Sequence, residues 1–483
     1  MSTDRRSFLK LSGLAGLGLF VKESAVASTS LADQQQGELS HILKQAEKKY
    51  TPIFNMSGYA APAIPVVRTG FIGVGNRGAA AVYRLSLIDG VSIKGICDIR
   101  QEKAEQAKAR IAAGEHEAKI YAGDANIWKE MCQRKDIDFV YIASHWAMHA
   151  EMAIFAMEQG KHVAVEIPAA TSVEDCWRLV MTSERTKKHC VILENCCYDF
   201  FELLTLNMAR QGFFGDIVHC EGAYIHDIFD SLFDKNARYD LWRLEENASR
   251  DGNLYPTHGL GPICQLLNIN RGNKMEFMTS MASNDFMLRA KIEELAKTDK
   301  DYQKYLNMPF RGNMNVSTIK NSDGSTMMLQ HDVTTPRPYS RLHVVSGTKA
   351  YAQKYPLPAK IAVNHKEFLS EEDMKKLEEK YTPKIVRYIG ELAKSVGGHG
   401  GMDFIMDWRL IDCLRNGLPV DMDVYDAAAW SVISPLSEWS VANGSKPIAI
   451  PDFTMGRWKA NKVHLINLET GGNTNVLKSN QNK

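Results

Sequence analysis

Cysteine is scarce in this chain, and its scarcity excludes a scaffold built on disulfides. Nine cysteines occur among 483 residues, far below the density of small secreted domains that disulfides hold together. The number is odd, so at least one thiol stays unpaired unless it bonds to another chain. Cys196 and Cys197 are not expected to bridge locally, because adjacent Cα atoms lie about 3.8 Å apart, below the usual disulfide range.

The chain also lacks an excess of either charge. Lys plus Arg is 58 and Asp plus Glu is 57, which leaves a formal charge of +1. Nucleic-acid binders and polybasic membrane-surface proteins need a clustered positive excess, so both classes are disfavoured. Hydrophobic residues make up 45% and charged residues 24%, as in folded globular proteins, and the length predicts two or three structural units.

Several functional motifs are missing as well. There is no Cys-x-x-Cys and no His-Glu-x-x-His, and the histidines are scattered, so no metal site is predicted. No Gly-x-Ser-x-Gly elbow indicates a serine hydrolase. The apolar run from Leu11 to Val21 is shorter than the roughly 20 residues that a membrane span needs, and no other stretch is long and apolar enough. We therefore expect no stable membrane insertion.

The N-terminus resembles a twin-arginine export signal. Paired Arg5 and Arg6 precede Phe8-Leu9-Lys10 and the short apolar run, and Ala25-Val26-Ala27 forms a cleavage motif. A signal peptide over 1–27 is predicted, with the export machinery as a partner and the periplasm as the destination. This route carries folded proteins, so a cofactor and buried thiols can be acquired before export. A chance basic, amphipathic start is the alternative.

From Val66 the pattern alternates between buried, branched strands and helices. This βαβα alternation predicts a parallel sheet covered on both faces. The first strand runs into Gly73-Val74-Gly75-Asn76-Arg77-Gly78, and Asp98 ends the next strand, 20 residues past the last glycine. This is the dinucleotide-binding fingerprint in its expected context: the glycines allow a tight turn and close approach of a pyrophosphate, and the helix N-terminus faces the phosphates.

Asp98 is expected to accept hydrogen bonds from the adenosine ribose hydroxyls. A carboxylate at this place repels a 2′-phosphate, so NAD is favoured over NADP. Arg100, two residues further on, weakens that preference a little. The alternative is a glycine turn that binds no ligand.

After about residue 196 the pattern changes. Strand-like segments near 216–226, 314–319, 325–333 and 341–346 predict a largely antiparallel sheet, with helices near 285–306, 370–394 and Met402–Asn416. The predicted fold is a Rossmann dinucleotide-binding domain followed by an α+β domain with an open, mostly antiparallel sheet. The predicted bounds are a signal over 1–27, an arm or linker over 28–65 with a short helix near 38–49, a Rossmann domain over 66–195, a substrate domain over 196–460 and a tail over 461–483.

Two further segments resemble the Gfo/Idh/MocA family of NAD(P)-dependent sugar and polyol oxidoreductases. They are SHWAMH at Ser144–His149 and GKHVAVEIP at Gly160–Pro168. The chain departs from that family in two places. The lysine of the family's Glu-Lys-Pro motif, which polarises the reacting hydroxyl, is Ile167 here. The aspartate of the family's Asp-x-x-x-His pair is Leu254 here, although His258 is present. An ordinary dehydrogenase of the family is therefore in doubt.

One branch fits better. Glu194–Tyr198, Tyr255–Gly259 and the glycine-rich Gly397–Asp403 resemble the NAD-dependent α-N-acetylgalactosaminidases of glycoside hydrolase family 109. The resemblance implies hydrolysis by oxidation of the sugar at C3, loss of the C2 proton, expulsion of the C1 aglycone, addition of water at C1 and reduction at C3. Such an enzyme recycles tightly bound NAD and needs no pair of carboxylates flanking the glycosidic bond.

The same resemblance implies roles for particular residues. His258 is the leading general acid or base, because a neutral imidazole takes up a proton near neutral pH. Tyr255 and Tyr198 are further catalytic candidates, and His399 either reaches the site or only shapes its loop. The implied substrate contacts are Tyr224, Arg243, Tyr255, Pro256, Thr257, His258 and Tyr339. The implied cofactor contacts are Gly73, Gly75, Asn76, Arg77, Gly78, Asp98, Trp146, Ala147, Met148, His149, Glu166, Ile167 and Asn195.

For each of these residues a purely structural role is the alternative. This applies above all to the tyrosines, since most of the 17 in the chain must serve packing. Two other functions stay open: an NAD-dependent sugar dehydrogenase, and a catalytically silent NAD-bound sugar-binding protein. The expected partner is a small glycoside or a glycan. The sequence leaves open the aglycone, the anomeric preference and a homo-oligomeric state.

Overall fold

The computed structural model describes residues 50–463, 465–466 and 468–478. The signal peptide and the short helix near 38–49 that the sequence predicts lie outside the described residues. No helix in the described ranges combines the length and the apolar character that crossing a bilayer requires.

The first domain is built on a six-stranded, all-parallel sheet. Its strands lie in the order β3-β2-β1-β4-β5-β6, which is the Rossmann order. Every residue of β4, β5 and β6 is buried, as expected for strands covered on both faces. The strands are β1 (Val67–Ile72), β2 (Val91–Cys97), β3 (Lys119–Tyr121), β4 (Phe139–Ile142), β5 (His162–Val165) and β6 (Cys190–Ile192).

Helices alternate with these strands, as predicted. Helix α5 begins with Ser172 as its N-cap, whose hydroxyl accepts a hydrogen bond from the Asp175 amide at 3.0 Å. The order of the sheet reverses between β1 and β4, so a crevice opens at the carboxyl ends of these strands. The helices are α1 (Asn76–Ser86), α2 (Gln101–Lys108), α3 (Ile127–Gln133), α4 (Trp146–Glu158) and α5 (Val173–Thr186).

The second domain carries an eight-stranded mixed sheet in the order β13-β12-β11-β7-β10-β9-β8-β14. All neighbours are antiparallel except β7 and β10, so the prediction of a mostly antiparallel sheet is confirmed. The strands are β7 (Ile217–Ile225), β8 (Met275–Ala282), β9 (Met314–Asn321), β10 (Thr326–Asp332), β11 (Ser340–Gly347), β12 (Ala350–Gln353), β13 (Lys360–Val363) and β14 (Ile448–Ala449).

Helices pack on one face of this sheet and against the first domain. The helix predicted over 402–416 has those bounds, whereas the helical stretch near 370–394 is two helices that Pro383 separates. The helices are α6 (Phe200–Arg210), α7 (Phe229–Leu232), α8 (Trp242–Ser249), α9 (Thr257–Leu266), α10 (Leu288–Leu295), α11 (Glu371–Tyr381), α12 (Lys384–Val396), α13 (Met402–Asn416), α14 (Val424–Ser431) and α15 (Ile433–Ala442).

Both predicted flanking segments pack on this body where they are described. The arm is held by Glu184, which is 1% exposed and accepts hydrogen bonds from the amides of Ile53 and Phe54 at 2.9 and 3.2 Å. In the tail, Val476 forms an antiparallel bridge with Ile88, beside the N-terminal end of β2. The region predicted as a tail therefore completes the surface of the Rossmann domain.

Candidate active site

The turn between β1 and α1 is shaped by its three glycines. Gly73 has a positive φ of 80°, and a Cβ there would lie 2.6 Å from the Ser144 amide. A Cβ on Gly78 would lie 1.9 Å from the Gly73 carbonyl oxygen. Gly75 is different, because its Cβ would meet no protein atom closer than 3.9 Å. The space in front of Gly75 therefore opens into the cleft, and α1 begins there with no side-chain cap, so its free amides suit a pyrophosphate.

Asp98 stands at the end of β2 and lines the same cleft. Its two carboxylate oxygens accept hydrogen bonds from the amides of Val74 and Arg100 at 2.9 and 3.0 Å. Each oxygen keeps a second lone pair for a ribose hydroxyl. The glycine cradle and this fixed carboxylate together fit the adenosine and pyrophosphate parts of NAD.

Aromatic rings form the wall where the cleft meets the second domain. Trp146, the first residue of α4, stacks on Tyr255 with ring centroids 5.5 Å apart. The Arg243 guanidinium lies 5.2 Å from the Trp146 ring centroid and 5.1 Å from that of Tyr255. The Nε of Arg243 is buried without a hydrogen-bond partner. This guanidinium is therefore free to bind a polar ligand.

Beyond this wall, three rings contact one another. Tyr255 lies 4.6 Å from Tyr224 and 5.0 Å from His258, and Tyr224 lies 5.3 Å from His258, measured between ring centroids. Their closeness depends on two glycines, because a Cβ on Gly259 of α9 would lie 2.3 Å from a β7 backbone nitrogen and one on Gly222 would lie 2.4 Å from the Gly259 oxygen. Helix α9, which carries His258, therefore packs tightly on β7, which carries Tyr224.

The rings continue outward from Tyr224. Its hydroxyl lies 3.0 Å from Nδ1 of His226, and the His226 ring contacts that of Tyr339 at 5.0 Å. Burial lowers the pKa of His226, and the nearby positive charge of Arg243 adds to this effect. This shift favours the neutral form of the His226 imidazole, which can accept a hydrogen bond from the Tyr224 hydroxyl.

His258 is paired with a carboxylate from the other domain. Its Nδ1 lies 2.7 Å from Oε1 of Glu194, and Glu194 is fully buried just after β6. Burial opposes ionisation of this carboxyl, but His258 and the Cys196 amide outweigh it, so the pKa of Glu194 is lowered. The geometry leaves Nε2 of His258 as the nitrogen that is free for a ligand.

A second polar network ties the glycine-rich segment to the cofactor turn. Asp403 Oδ2 accepts hydrogen bonds from Arg77 Nη1 at 2.9 Å and lies 2.9 Å from His399 Nδ1, and Asp403 Oδ1 accepts one from Asn195 Nδ2 at 2.5 Å. Arg77 also pairs with Glu166 at 2.9 Å. Asp403 is buried, yet His399 and two arginines hold its pKa well below the usual range. The predicted cofactor residues Arg77, Glu166 and Asn195 are thus parts of one network.

The structure brings most of the predicted site residues together, in two groups. Those beside the rings, outside the cleft lining, are Tyr224, Pro256, Thr257, His258 and Tyr339. Three predicted cofactor residues lie outside the cleft lining: Gly78 and Asn195, which are buried, and Ala147, which is exposed on α4. The predicted residues that line the cleft are Gly73, Gly75, Asn76, Arg77, Asp98, Trp146, Met148, His149, Glu166, Ile167, Arg243 and Tyr255.

Tyr198 does not belong to either group. Its side chain is buried, its hydroxyl donates a hydrogen bond to Asp421 at 2.9 Å, and it borders a separate small cavity with Arg409. Because the hydroxyl is occupied away from the cleft, the geometry gives no support to a catalytic role. His149 lines the cleft but is buried, and its ring nitrogens face the carbonyls of Pro168 and Ser144 at 2.8 and 3.0 Å, so the protein backbone holds its ring in place.

Glu194, Cys196 and His258 present their ligand-type atoms within 4.8 Å of one another. A cation at this cluster would be repelled by Arg341, whose Nη1 lies 3.0 Å from the Cys196 sulfur. Nδ1 of His258 is also already paired with Glu194. The geometry is that of a hydrogen-bonded cluster.

Sequence reasoning gave no role to Glu194 or Asp403, although both stand in segments that carried the resemblance. Glu194 directly follows a buried strand at the carboxyl edge of the sheet, where functional side chains gather. Asp403 lies four residues after His399 at the start of α13. These positions could have marked both carboxylates as candidates. The sequence does not show their partners, because each partner lies in another segment of the chain.

The sheet order, the glycine turn and the strand-end acid define a NAD-binding protein of the oxidoreductase type. A family model described as "Oxidoreductase family, NAD-binding Rossmann fold" matches residues 67–194. Solved structures agree on the fold: levoglucosan dehydrogenase in complex with NADH is 18% identical with a TM-score of 0.59, covering 80% of this chain and 99% of that chain. The myo-inositol dehydrogenase from Lactobacillus casei in complex with NAD(H) and myo-inositol has a TM-score of 0.53, 18% identity and the same coverage.

The second domain gives the family. The model "Glycosyl hydrolase 109, C-terminal domain" matches residues 198–460, so the chain belongs to glycosyl hydrolase family 109. The "Glycosyl hydrolase family 109 protein 2" of Phocaeicola vulgatus is 47% identical over 84% of this chain and 98% of that protein. The "Alpha-N-acetylgalactosaminidase" of Bacteroides fragilis is 47% identical over 84% of this chain and 96% of that protein.

Proposed function

We propose that this protein hydrolyses terminal α-linked N-acetylgalactosamine through oxidation at C3, elimination, hydration at C1 and reduction. The observation that carries the proposal is the placement of His258, Tyr224 and Tyr255 beside a NAD cleft that has Ile167 where a dehydrogenase has its lysine. The name of the Bacteroides fragilis relative supports the sugar.

The residues that would hold NAD are those of the glycine turn, Asp98, Arg77 and Glu166. When bound, NAD supplies a hydride acceptor and later a hydride donor at the sugar's C3. Nε2 of His258 takes the proton of the C3 hydroxyl, because its other nitrogen is held by Glu194. The C3 ketone then makes the C2 hydrogen acidic, so that a nearby base can remove it as the aglycone leaves.

Tyr224 is the better candidate for the C2 proton. Burial raises the pKa of Tyr255 well above its ordinary value, which keeps that phenol protonated and suits it to donate a hydrogen bond to the sugar. The Tyr224 hydroxyl instead faces His226 at 3.0 Å, whose favoured neutral form can take a proton onward. Arg243 presents its guanidinium to the sugar's polar groups from the other side.

The second domain also covers the cofactor cleft. Ala237, Arg238, Tyr239 and Trp242 line it opposite the Rossmann turn, and the Arg100 guanidinium lies 5.3 Å from the Tyr239 ring centroid. A cover of this kind slows the release of a dinucleotide. It therefore supports a cycle in which one bound NAD is retained through many turnovers.

The test is release of nitrophenol from nitrophenyl α-N-acetylgalactosaminide by the purified protein, with no cofactor added. We expect turnover without net NADH, and a fall of at least about 100-fold in kcat for His258→Asn. Substrate deuterated at C2 should give product that has lost the label to water. Retention of that label, or full turnover by protein stripped of NAD, would contradict the proposal.

The same assay separates the two other functions. A dehydrogenase would need added NAD and would accumulate NADH, whereas a sugar-binding protein would do neither. Ile167, which is 2% exposed, speaks against the dehydrogenase, because an alkyl side chain cannot polarise a hydroxyl group.

We also propose export to the periplasm through the twin-arginine route. The support is the Arg5-Arg6 motif with its cleavage motif. The nine cysteines are all free and buried, which is compatible with a route that carries folded proteins. Replacing Arg5 and Arg6 by lysine should keep the protein in the cytoplasmic fraction, measured by immunoblotting of cell fractions. Unchanged periplasmic content would contradict export by this route.

A further inference from the structure

We propose that Glu194 is the positioning residue for His258, and that it replaces across the domain boundary the aspartate that precedes this histidine by four residues in related oxidoreductases. The inference rests on the proposed function for its kinetic consequence. Its structural content, a carboxylate that fixes one tautomer and stabilises the imidazolium, can be tested without any substrate.

The contact has the geometry that the role needs. Oε1 of Glu194 lies 2.7 Å from Nδ1 of His258 and also accepts the Cys196 amide at 3.0 Å. Glu194 is fully buried, and the His258 side chain is 13% exposed. With Oε1 fixed as an acceptor, Nδ1 must carry a proton, so Nε2 presents its lone pair toward the ligand.

The fold makes room for this contact. Gly261 lies on α9 one turn after His258, and a Cβ there would lie 2.8 Å from Cγ of Glu194. Leu254, at the position four residues before His258, is 1% exposed and can supply no charge. The carboxylate therefore comes from the end of β6 and reaches the histidine beneath α9.

A negative charge at this place has a physical purpose. His258 is the second residue of α9, where the positive end of the helix dipole destabilises an imidazolium. The titratable groups that surround it are the buried Glu194 and Cys196 thiol, the rings of Tyr224 and Tyr255, and His226, whose pKa burial lowers. Two arginines lie beyond them: Arg341 beside the Cys196 sulfur and Arg243 beside the Tyr255 ring. Burial raises the pKa of the Cys196 thiol and that of Tyr255, so Glu194 is the anion in this set that balances the proton His258 takes up.

The decisive experiment is a titration of the holoenzyme, labelled with 15N-histidine, by NMR. The His258 resonances are identified by their loss in His258→Asn. In the native protein we expect the Nδ1–H tautomer above the titration midpoint. In Glu194→Gln the amide oxygen is expected to keep the place of Oε1, because the Cys196 amide requires an acceptor. The charge is then lost, and an NH2 group takes the place of Oε2, which has no hydrogen-bond partner. The midpoint should then fall by about 1 pH unit or more.

Kinetics give a second readout. In Glu194→Gln the acid limb of kcat/KM should move to lower pH and kcat should fall at least about tenfold, with KM changed less than about twofold. Glu194→Asp, which keeps a shorter carboxylate, should give intermediate values. Glu184→Gln is the matched control: it neutralises another buried carboxylate, which holds the arm, and should lower stability without moving either the midpoint or the acid limb.

The outcomes are distinguishable. An Nε2–H tautomer in the native protein, or an unchanged midpoint in Glu194→Gln, would overturn the role of Glu194. If Glu194→Gln does not fold, an unchanged midpoint in Glu194→Asp together with the wrong native tautomer has the same meaning. A protein that cleaves no glycoside would instead overturn the proposed function, while the tautomer and the midpoint still decide the question of Glu194.

Discussion

At the scale of single residues, Asp403 lies where side chains from several segments converge. Its buried carboxylate accepts hydrogen bonds from Arg77 and Asn195. It also lies beside His399 and 3.6 Å from Arg84. With a neutral residue at this place, the positive charges of Arg77 and Arg84 would lose one of their negative partners while remaining half-buried and buried. Breaking a buried ion pair by removing one partner commonly costs a few kcal/mol.

We therefore expect Asp403→Asn to lower the free energy of unfolding by about 3 kcal/mol, measured by urea denaturation, and to weaken retention of NAD because Arg77 loses its orientation. Glu391→Gln is the control, since this side chain is 90% exposed in its pair with Lys394 and should change neither quantity. Equal stability of Asp403→Asn and the native protein would contradict the assignment.

Single residues also show which parts of the candidate site can be predicted from the sequence. The glycine turn, Asp98 and His258 could be predicted as candidates because they belong to patterns of spacing along the chain. The pairing of His258 with Glu194 could not, because it depends on how closely α9 packs on β7 through Gly222 and Gly259. Tyr198 shows the opposite case: Glu194 and Asn195, its neighbours in sequence, lie beside the candidate site, but its own hydroxyl points to Asp421.

At the scale of elements, the turn between β1 and α1 separates two functions of glycine. A Cβ on Gly78 would overlap the Gly73 carbonyl at 1.9 Å, whereas one on Gly75 would project into the open cleft, 3.9 Å from the nearest protein atom. Gly78 therefore allows the helix to pack on the strand, and Gly75 leaves room for a ligand.

Gly78→Ala should therefore unfold at clearly lower urea concentration and contain little NAD. Gly75→Ala should unfold like the native protein in its cofactor-free form but retain much less NAD. Urea denaturation and the nucleotide content of the purified variants are the two measurements. If both variants lose stability equally, the distinction between these glycines does not hold.

The elements themselves were predictable to different degrees. The Rossmann strands and helices follow from a pattern that repeats along the chain, and the helix Met402–Asn416 is bounded by glycines on both sides. The exceptions among the Rossmann elements are strand β3 and helix α3, which were missed together with strands β8, β12, β13 and β14. β14 is only two residues long, and β12 and β13 are four-residue strands whose pairing is set by the sheet and not by local pattern.

At the scale of the whole molecule, buried histidines should make stability depend on pH. Burial lowers the pKa of His189 to about 4, helped by the charge of Lys188. Its unfolded form titrates near 6.5, so the unfolded state binds more protons between these values. Stability is therefore fully present above pH 6.5 and is lost as the pH falls toward 4.

We expect the free energy of unfolding to fall across this range, with at most about 3 kcal/mol due to His189. His189→Phe keeps a ring beside Tyr59 and His162 and should flatten the dependence by that amount, measured by urea denaturation at a series of pH values. His365→Phe, in an exposed turn, should leave the slope unchanged. A slope that is the same with and without His189 would show that another group is responsible.

The return of residues 474–477 to the Rossmann domain has a consequence for biosynthesis. Leu477 donates its amide to the Leu87 carbonyl at 2.7 Å, and the Trp408 indole donates to the Thr474 carbonyl at 2.9 Å. The ribosome makes this segment long after it has made the strands that the segment covers. These contacts of the nucleotide-binding half can therefore form only after most of the chain has been synthesised, and a product truncated before residue 474 would leave the Leu87 carbonyl and the Trp408 indole without these partners.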